Sequence, residues 1–469
     1  MDMKLLGKNK ENLIENLSNG SGAEVGTRMF TNKYLIRLLW PLFVEQLLVF
    51  AIGIADSFMV ASVGEEAVSA VSLVDSIMML LITIMTALAT GGAVVVGQFL
   101  GQKKEAEARK AGDQLLLFVT ALSLIIVAVM YIFRKGLLPL VFGDVEPQVM
   151  AYCNTYYKIV VATVPLIAVY NAGAALFRSI GNSKIAMKIS LLMNVINISG
   201  NAVLLYGFHC GVEGVAIPTL AARFVAALIV IKALRNPDLA VHLSRPFVWR
   251  PNWKLIKNIL RIGIPNGIEN SMFQLGKLLL LSMISGFGTT AIAANAVANT
   301  VAMIAVLPGM AVGYGIVSVI SQCVGSGDYE QVRYYGRKLI KWVYLLMGIV
   351  DILIILLIPV IIDLYGLSEA TGDLAGKIIL FHNICAIVIW PISFSLPNVL
   401  RAASDVMYTM IIGVGSMWVF RILSGYLLGS VLGMGVFGVW VAMIIDWVVR
   451  SVCFLIRYHG GKWKHPAVR

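Results

Sequence analysis

Apolar runs of more than about 20 residues, enough to cross a bilayer as helix, recur along the chain and are separated by short polar breaks. The pattern predicts twelve membrane-spanning helices over 35–60, 68–100, 113–133, 149–176, 186–208, 213–234, 256–286, 290–324, 338–361, 375–399, 407–429 and 435–457. The run 68–100 overshoots a hydrocarbon core of roughly 30 Å, so its helix must tilt, kink or project beyond the membrane. The breaks Gly101-Gln102-Lys103 and Gly325-Ser326-Gly327 each lead into a charged amphipathic stretch. They predict cytoplasmic turns followed by short interfacial helices.

The first half of this pattern recurs in the second at an almost fixed offset, the one that carries Pro41 onto Pro265. The same shift places Glu45 on Glu269, Gly64 on Gly288, Gly91 on Gly315, Gln98 on Gln322 and Arg109 on Arg333, and a shift shorter by one places Arg178 on Arg401. Six spans per repeat is an even number, so both copies insert in the same orientation. The expected fold is an all-α integral membrane protein, twelve transmembrane helices in two six-helix lobes related by pseudo-two-fold symmetry. Its parts are an N-terminal tail (1–34), an N-lobe (35–234), a linker (235–255) with Pro237, Pro246 and Pro251, a C-lobe (256–457) and a C-terminal tail (458–469). Two homologous lobes in lipid are how transporters frame a site between halves that move against each other.

Composition agrees: 59% of the 469 residues are hydrophobic and only 13% charged, against about a quarter charged in soluble proteins. Residues 1–30 lack the apolar core of a cleavable signal peptide. The net charge of +12 is not a nucleic-acid signal, because its distribution follows the spans. Lys4, Lys8, Lys10, Lys103, Lys104, Arg109, Arg178, Lys184, the 235–261 connector, Arg333, Arg337, Arg401, Arg457, Lys464 and Arg469 fall on one side. Glu65, Glu66, Asp144, Glu146, Glu369 and Asp373 gather on the other. By the positive-inside rule both termini are cytoplasmic and the protein is a multi-pass component of the cell membrane. The five cysteines and five histidines show no metal-site spacing, and no phosphate-binding glycine loop is present. A metal, haem or ATP-driven enzyme is not indicated, nor is a cofactor other than a coupling ion. The expected partners are membrane lipids and small organic molecules, with the monomer as the working unit.

Ionisable groups within the spans are costly and each needs a reason. They are Glu45, Asp56, Asp75, Arg223, Glu269, Lys277, Asp351, Arg421 and Asp446, six acids to three bases. Eleven residues turn a helix through about 1,100°, so Glu45 and Asp56 share a face. Asn266, Asn270 and Lys277 fall on one stripe with Glu269 nearby. At eight residues, or about 12 Å along the helix, Lys277 is too far to pair with Glu269 directly. Glu269, Asn270, Lys277, Asn295, Asn299, Glu45 and Asp75 are the candidates for lining a substrate cavity, Asn299 being the repeat mate of Asp75. Asp75 is placed either to accept hydrogen bonds or to pair with Arg223. Arg421 and Asp446 lie at similar depth on consecutive antiparallel spans and read as a structural ion pair. Pro41, Pro165, Pro265, Pro308, Pro359 and Pro391 sit in or at the ends of spans and permit bends.

The strings W-P-L-F-V-E-Q, A-D-S-F-M-V-A-S-V-G, G-Q-F-L-G-Q-K-K-E and L-F-R-S-I-G-N-S-K in the first half resemble the multidrug and toxic compound extrusion (MATE) family. So do I-G-I-P-N-G-I-E-N, A-N-A-V-A-N-T and V-L-R-A-A-S-D in the second. The resemblance runs from residue 30 to 458. It implies a V-shaped pair of six-helix bundles that exports organic, often cationic, compounds in exchange for Na⁺ or H⁺. It also implies a cation or proton site at Asp56, Asn171, Asn197, Asn201 and Thr219. Some members carry a second carboxylate where this chain has Asn201, which leaves one formal charge and opens the question of which ion is bound. The oxygen donors suit a hard cation, and a lone aspartate can instead hold a proton. The same amides would serve as hydrogen-bond glue between helices. The expected function is secondary antiport of amphipathic, cationic solutes, multidrug efflux driven by Na⁺ or H⁺ influx. The alternative is flipping of a lipid-linked precursor, which a basic stripe in the cavity would favour. An intramembrane enzyme is disfavoured by the lack of Ser/His, HExxH or paired-Asp spacing.

Overall fold

A computed structural model of the chain describes residues 28–142, 146–247 and 249–464. The expectations for Lys4, Lys8, Lys10, Asp144 and Arg469 lie outside the described residues. The helices of the first half are α1 (Asn32–Ala61), α2 (Glu65–Gly101), α3 (Glu105–Ile132), α4 (Arg134–Phe142), α5 (Pro147–Val161), α6 (Val164–Ser179), α7 (Ser183–Ala202) and α8 (Glu213–Leu234). Those of the second are α9 (Trp253–Ser285), α10 (Thr289–Gly325), α11 (Tyr329–Tyr365), α12 (Glu369–Trp390), α13 (Leu396–Ala402), α14 (Val406–Gly415), α15 (Ser424–Tyr426) and α16 (Gly435–Gly460). Short π-helical turns continue α7 and join α12 to α13, α14 to α15, and α15 onward.

Among the described residues ten helical stretches are long and apolar enough to cross a membrane, and eleven when α5 and α6 count as one span. Those two meet at a 43° bend, with Pro165 in the first turn of α6, where its missing N–H is not needed. The remaining expected span, α9, is a continuous helix of 33 residues. Lys254, Lys257, Arg261, Glu269 and Lys277 interrupt its apolar face, so length alone marks it as a span. The stretch expected at 68–100 is the 37-residue α2, about 55 Å long at 1.5 Å per residue.

The short interfacial helices expected after residues 103 and 327 are not separate elements. Lys103 takes a positive φ of 59° and Gly327 one of 77°, and the amphipathic stretches that follow are the first turns of α3 and α11. The Asp328 side chain caps α11 by accepting from the N–H groups of Glu330 and Gln331 at 3.1 and 3.0 Å. This satisfies donors that a helix start leaves open.

The chain divides into two compact units, the first ending at Gly267 and the second starting at Ile268. The division falls inside α9 rather than in the proline-containing linker. Its cause is close packing of the α9 start on α2. A Cβ on Gly91 would lie 2.7 Å from the Ile259 carbonyl and 2.8 Å from the Gly263 nitrogen. Gln114 adds bonds to the linker backbone, donating to Arg250 O at 3.1 Å and accepting from Asn252 N at 2.7 Å. Gly91→Val forces two backbones apart at this crossing and is expected to destabilise the first unit by about 1–3 kcal/mol. Thermal unfolding of the purified protein in detergent checks it.

Candidate coupling site and buried charges

In the first unit the structure brings four of the five expected ion-site residues into one hydrogen-bond chain. Asn201, fully buried on α7, donates to Asp56 Oδ1 at 2.6 Å and to Asn197 Oδ1 at 3.3 Å. Asn197 donates to Thr219 Oγ1 at 2.9 Å, and the Thr219 hydroxyl donates in turn to Val215 O of α8 at 2.9 Å. The four-residue spacing of Asn197 and Asn201 puts both amides on one face of α7. Asn171 is engaged elsewhere, donating to Thr86 Oγ1 of α2 at 3.2 Å.

Two features of this chain are left open. The Asn201 Oδ1 atom is buried without a hydrogen-bond partner. No lysine or arginine forms an ion pair with Asp56 among the described residues. Asp56 does feel the charges of Asp75 and Arg223, but both are held by neighbours. Asp75 accepts from the Tyr156 hydroxyl at 3.1 Å, and Arg223 donates to Thr163 Oγ1. Of the two alternatives for Asp75, hydrogen bonding is the one realised.

Glu45 shares the α1 face with Asp56 but has a different fate. It is 4% exposed, and its Oε1 atom meets Arg178 Nη1 at 3.2 Å and the Tyr170 hydroxyl at 3.4 Å. In the second unit Glu269 Oε1 meets Arg401 Nη2 at 2.7 Å. These are the same pair in each repeat, a first-span glutamate against an arginine at the end of the fourth. The alignment of Glu45 with Glu269 and of Arg178 with Arg401 carries the signal for them, but only when the four positions are taken as two pairs. A Cβ on Gly413 would fall 2.5 Å from Glu269 Oε1, so glycine there makes room for the carboxylate.

Elsewhere in the second unit, Asn295 accepts from Trp440 Nε1 at 3.1 Å, and Asn299 donates to the Asn295 carbonyl at 2.9 Å. Asn270 is half-buried. Lys277 is exposed and its Nζ lies 5.1 Å from the centre of the Phe273 ring. Arg421 and Asp446 do approach, but at 3.8 Å. The tight partner of Asp446 is Arg450, one turn along α16 at 2.8 Å, because an i,i+4 spacing stacks the two side chains on one helix face. Asp351 is fully buried on α11 with neither oxygen hydrogen-bonded. A cavity of about 690 Å³ is lined by Leu279, Met283, Trp418, Val419, Ile422 and Tyr426 among others, none of them an expected site residue.

A family profile described as MatE matches residues 41–203 and 265–427. The chain belongs to the MatE family. The two matched segments begin at Pro41 and Pro265, so they are displaced by the same offset that relates the two halves of the sequence. Among curated relatives, the uncharacterised transporter YisQ of Bacillus subtilis is 27% identical, with 92% of this chain and 94% of YisQ covered. The probable multidrug resistance protein NorM of Thermotoga maritima is 25% identical over 93% of this chain and 94% of its own. The fold matches the outward-facing structure of a multidrug resistance MATE family transporter of the MOP superfamily, with a TM-score of 0.84 at 21% identity, covering 92% of this chain and 96% of the other. This MatE protein is therefore a multi-pass membrane transporter of two helical halves.

Breaking one of the buried ion pairs strands a charge. Arg178→Met is expected to cost about 3–5 kcal/mol, and adding Glu45→Gln to it should recover most of that loss. Thermal unfolding of the two single variants and the double variant checks the cycle; a double variant no more stable than Arg178→Met contradicts it.

Proposed function

We propose that this MatE protein is a secondary antiporter that exports amphipathic organic compounds in exchange for inward Na⁺ or H⁺ bound at Asp56. The supporting observation is the carboxylate of Asp56, set in a hydrocarbon-depth helix with one amide donor and no cation against it. A carboxyl in a low-dielectric setting is stabilised by binding either a metal cation or a proton. The Asn201 Oδ1 atom, buried and without a partner, is a further oxygen on the residue that bonds Asp56, and the Asn197 bond helps hold that amide in place. Carboxylate and amide oxygens suit Na⁺, while the single formal charge equally suits H⁺. A cationic group on the cargo would compete for the same negative charge, and this competition is what makes transport an exchange. We place both termini and the basic loops in the cytoplasm of a cell-membrane protein, with the monomer as the transporting unit.

The excess of acids over bases in the spans points to cationic cargo, but Arg178 and Arg401 neutralise Glu45 and Glu269. With those two acids set aside and Asp446 held by Arg450, three acids remain to three bases, so the count favours neither sign and the cationic character of the cargo rests on Asp56.

Ethidium efflux from proteoliposomes under separately imposed Na⁺ and pH gradients tests the proposal. One gradient should drive efflux by the wild type. Asp56→Asn should abolish that acceleration, and Asn201→Ala should weaken it, with the unfolding temperature of each variant preserved. Full gradient-driven efflux by Asp56→Asn would refute the assignment.

A further inference from the structure

The second unit carries a cluster of cations that its own carboxylates do not balance. Lys277, Arg421 and Arg450 all lie against one aromatic ring, Phe273, with Nζ at 5.1 Å and the guanidinium carbons at 5.3 and 5.5 Å from its centre. Two of these three positive charges, Arg421 and Arg450, share one carboxylate, Asp446. Arg450 takes it, at 2.8 Å, and directs a second donor at the Gly413 carbonyl at 2.8 Å. Arg450 is satisfied. The other two are not.

Arg421 is only 8% exposed and its side chain makes no hydrogen bond among the described residues; its Nε is buried without a partner, and its one ion contact is the 3.8 Å approach to Asp446. Lys277, accessible where Arg421 is buried, has neither a hydrogen bond nor an ion pair among the described residues. A buried guanidinium with only one long ion contact and no side-chain hydrogen bond is costly inside a membrane protein, and like charges facing one ring repel each other. Stacking on the ring supplies part of the compensation but leaves the N–H donors unused. A planar guanidinium fork beside a point-charge ammonium is the donor set that takes an oxyanion, two N–H bonds from arginine and one from lysine. Phe273 offers an apolar face next to those donors.

We propose that the C-terminal half holds an organic-anion subsite, in which Lys277 and Arg421 take the acid group of an amphiphile whose apolar body rests on Phe273. The acid is a carboxylate, sulfonate or phosphate. The proposal builds on the exporter reading above and extends it, since cargo would include acids and zwitterions as well as cations. A phosphate could also belong to a lipid headgroup, the chemistry shared with a lipid-linked precursor.

The test is binding of the fluorescent acid 11-(dansylamino)undecanoate to the full-length purified transporter in detergent, with its methyl ester as the uncharged control and no ion gradient present. The wild type should bind the acid at least about tenfold more tightly than the ester. Lys277→Gln should erase that preference while leaving ester binding unchanged, and Lys277→Arg should keep it. Displacement of the probe by phosphatidylglycerol but not by phosphatidylcholine assigns the anion to a headgroup; displacement by free undecanoate alone assigns it to cargo. Equal affinity of the wild type for acid and ester, or an undiminished preference in Lys277→Gln, overturns the subsite. Asp56→Asn should bind the acid like the wild type, so that failure of ion coupling and failure of this subsite are read separately.

Discussion

A carboxyl group carried into the hydrocarbon layer has to be compensated, and the way each acid of this protein meets that demand separates structure from function. Glu45 and Glu269 meet it with arginines, and Asp446 meets it with Arg450. These counter-charges are internal and fixed when the chain folds. Asp56 is different. The one direct donor to Asp56 is an uncharged amide, and the antiport proposal assigns the rest of its compensation to an ion from outside the protein. A group whose counter-charge is exchangeable is the physical requirement for coupling an ion to anything else.

The repeat sharpens this contrast. Both halves carry the same glutamate–arginine pair, and it does the same thing in each. The positions that differ between the halves are the ones with open chemistry. At the offset that carries Pro41 onto Pro265, Asp56 falls on Leu280 and so has no acidic mate. Asn197 falls on Arg421, which stands where the first half has an amide. At these matched positions the first half therefore carries a carboxylate with no ion pair among the described residues, and the second a guanidinium whose one ion contact is the 3.8 Å approach to Asp446, on a shared framework.

Much of this is legible in the sequence because it depends on period and spacing. The spans follow from run length, the two-fold plan from the constant offset between the halves, and the common face of Asn197 and Asn201 from a separation of four. Pairing across helices cannot be read that way. Arg178 lies in the last turn of α6 and reads as a loop charge, yet its long side chain reaches back to a glutamate 133 residues earlier. Depth alone matches Asp446 to Arg421, whereas the partner one turn away on the same helix is closer. The unit boundary inside α9 is equally hidden, since it comes from two glycines that let helices touch rather than from the polar linker.

The most direct measurement is of the ion displaced when cargo binds. Purified transporter in weakly buffered detergent, titrated with ethidium under a Na⁺ electrode and a pH electrode, should release Na⁺ or H⁺ as the wild type binds, and Asp56→Asn should bind without releasing either. Undiminished release from the Asp56→Asn protein would contradict the account.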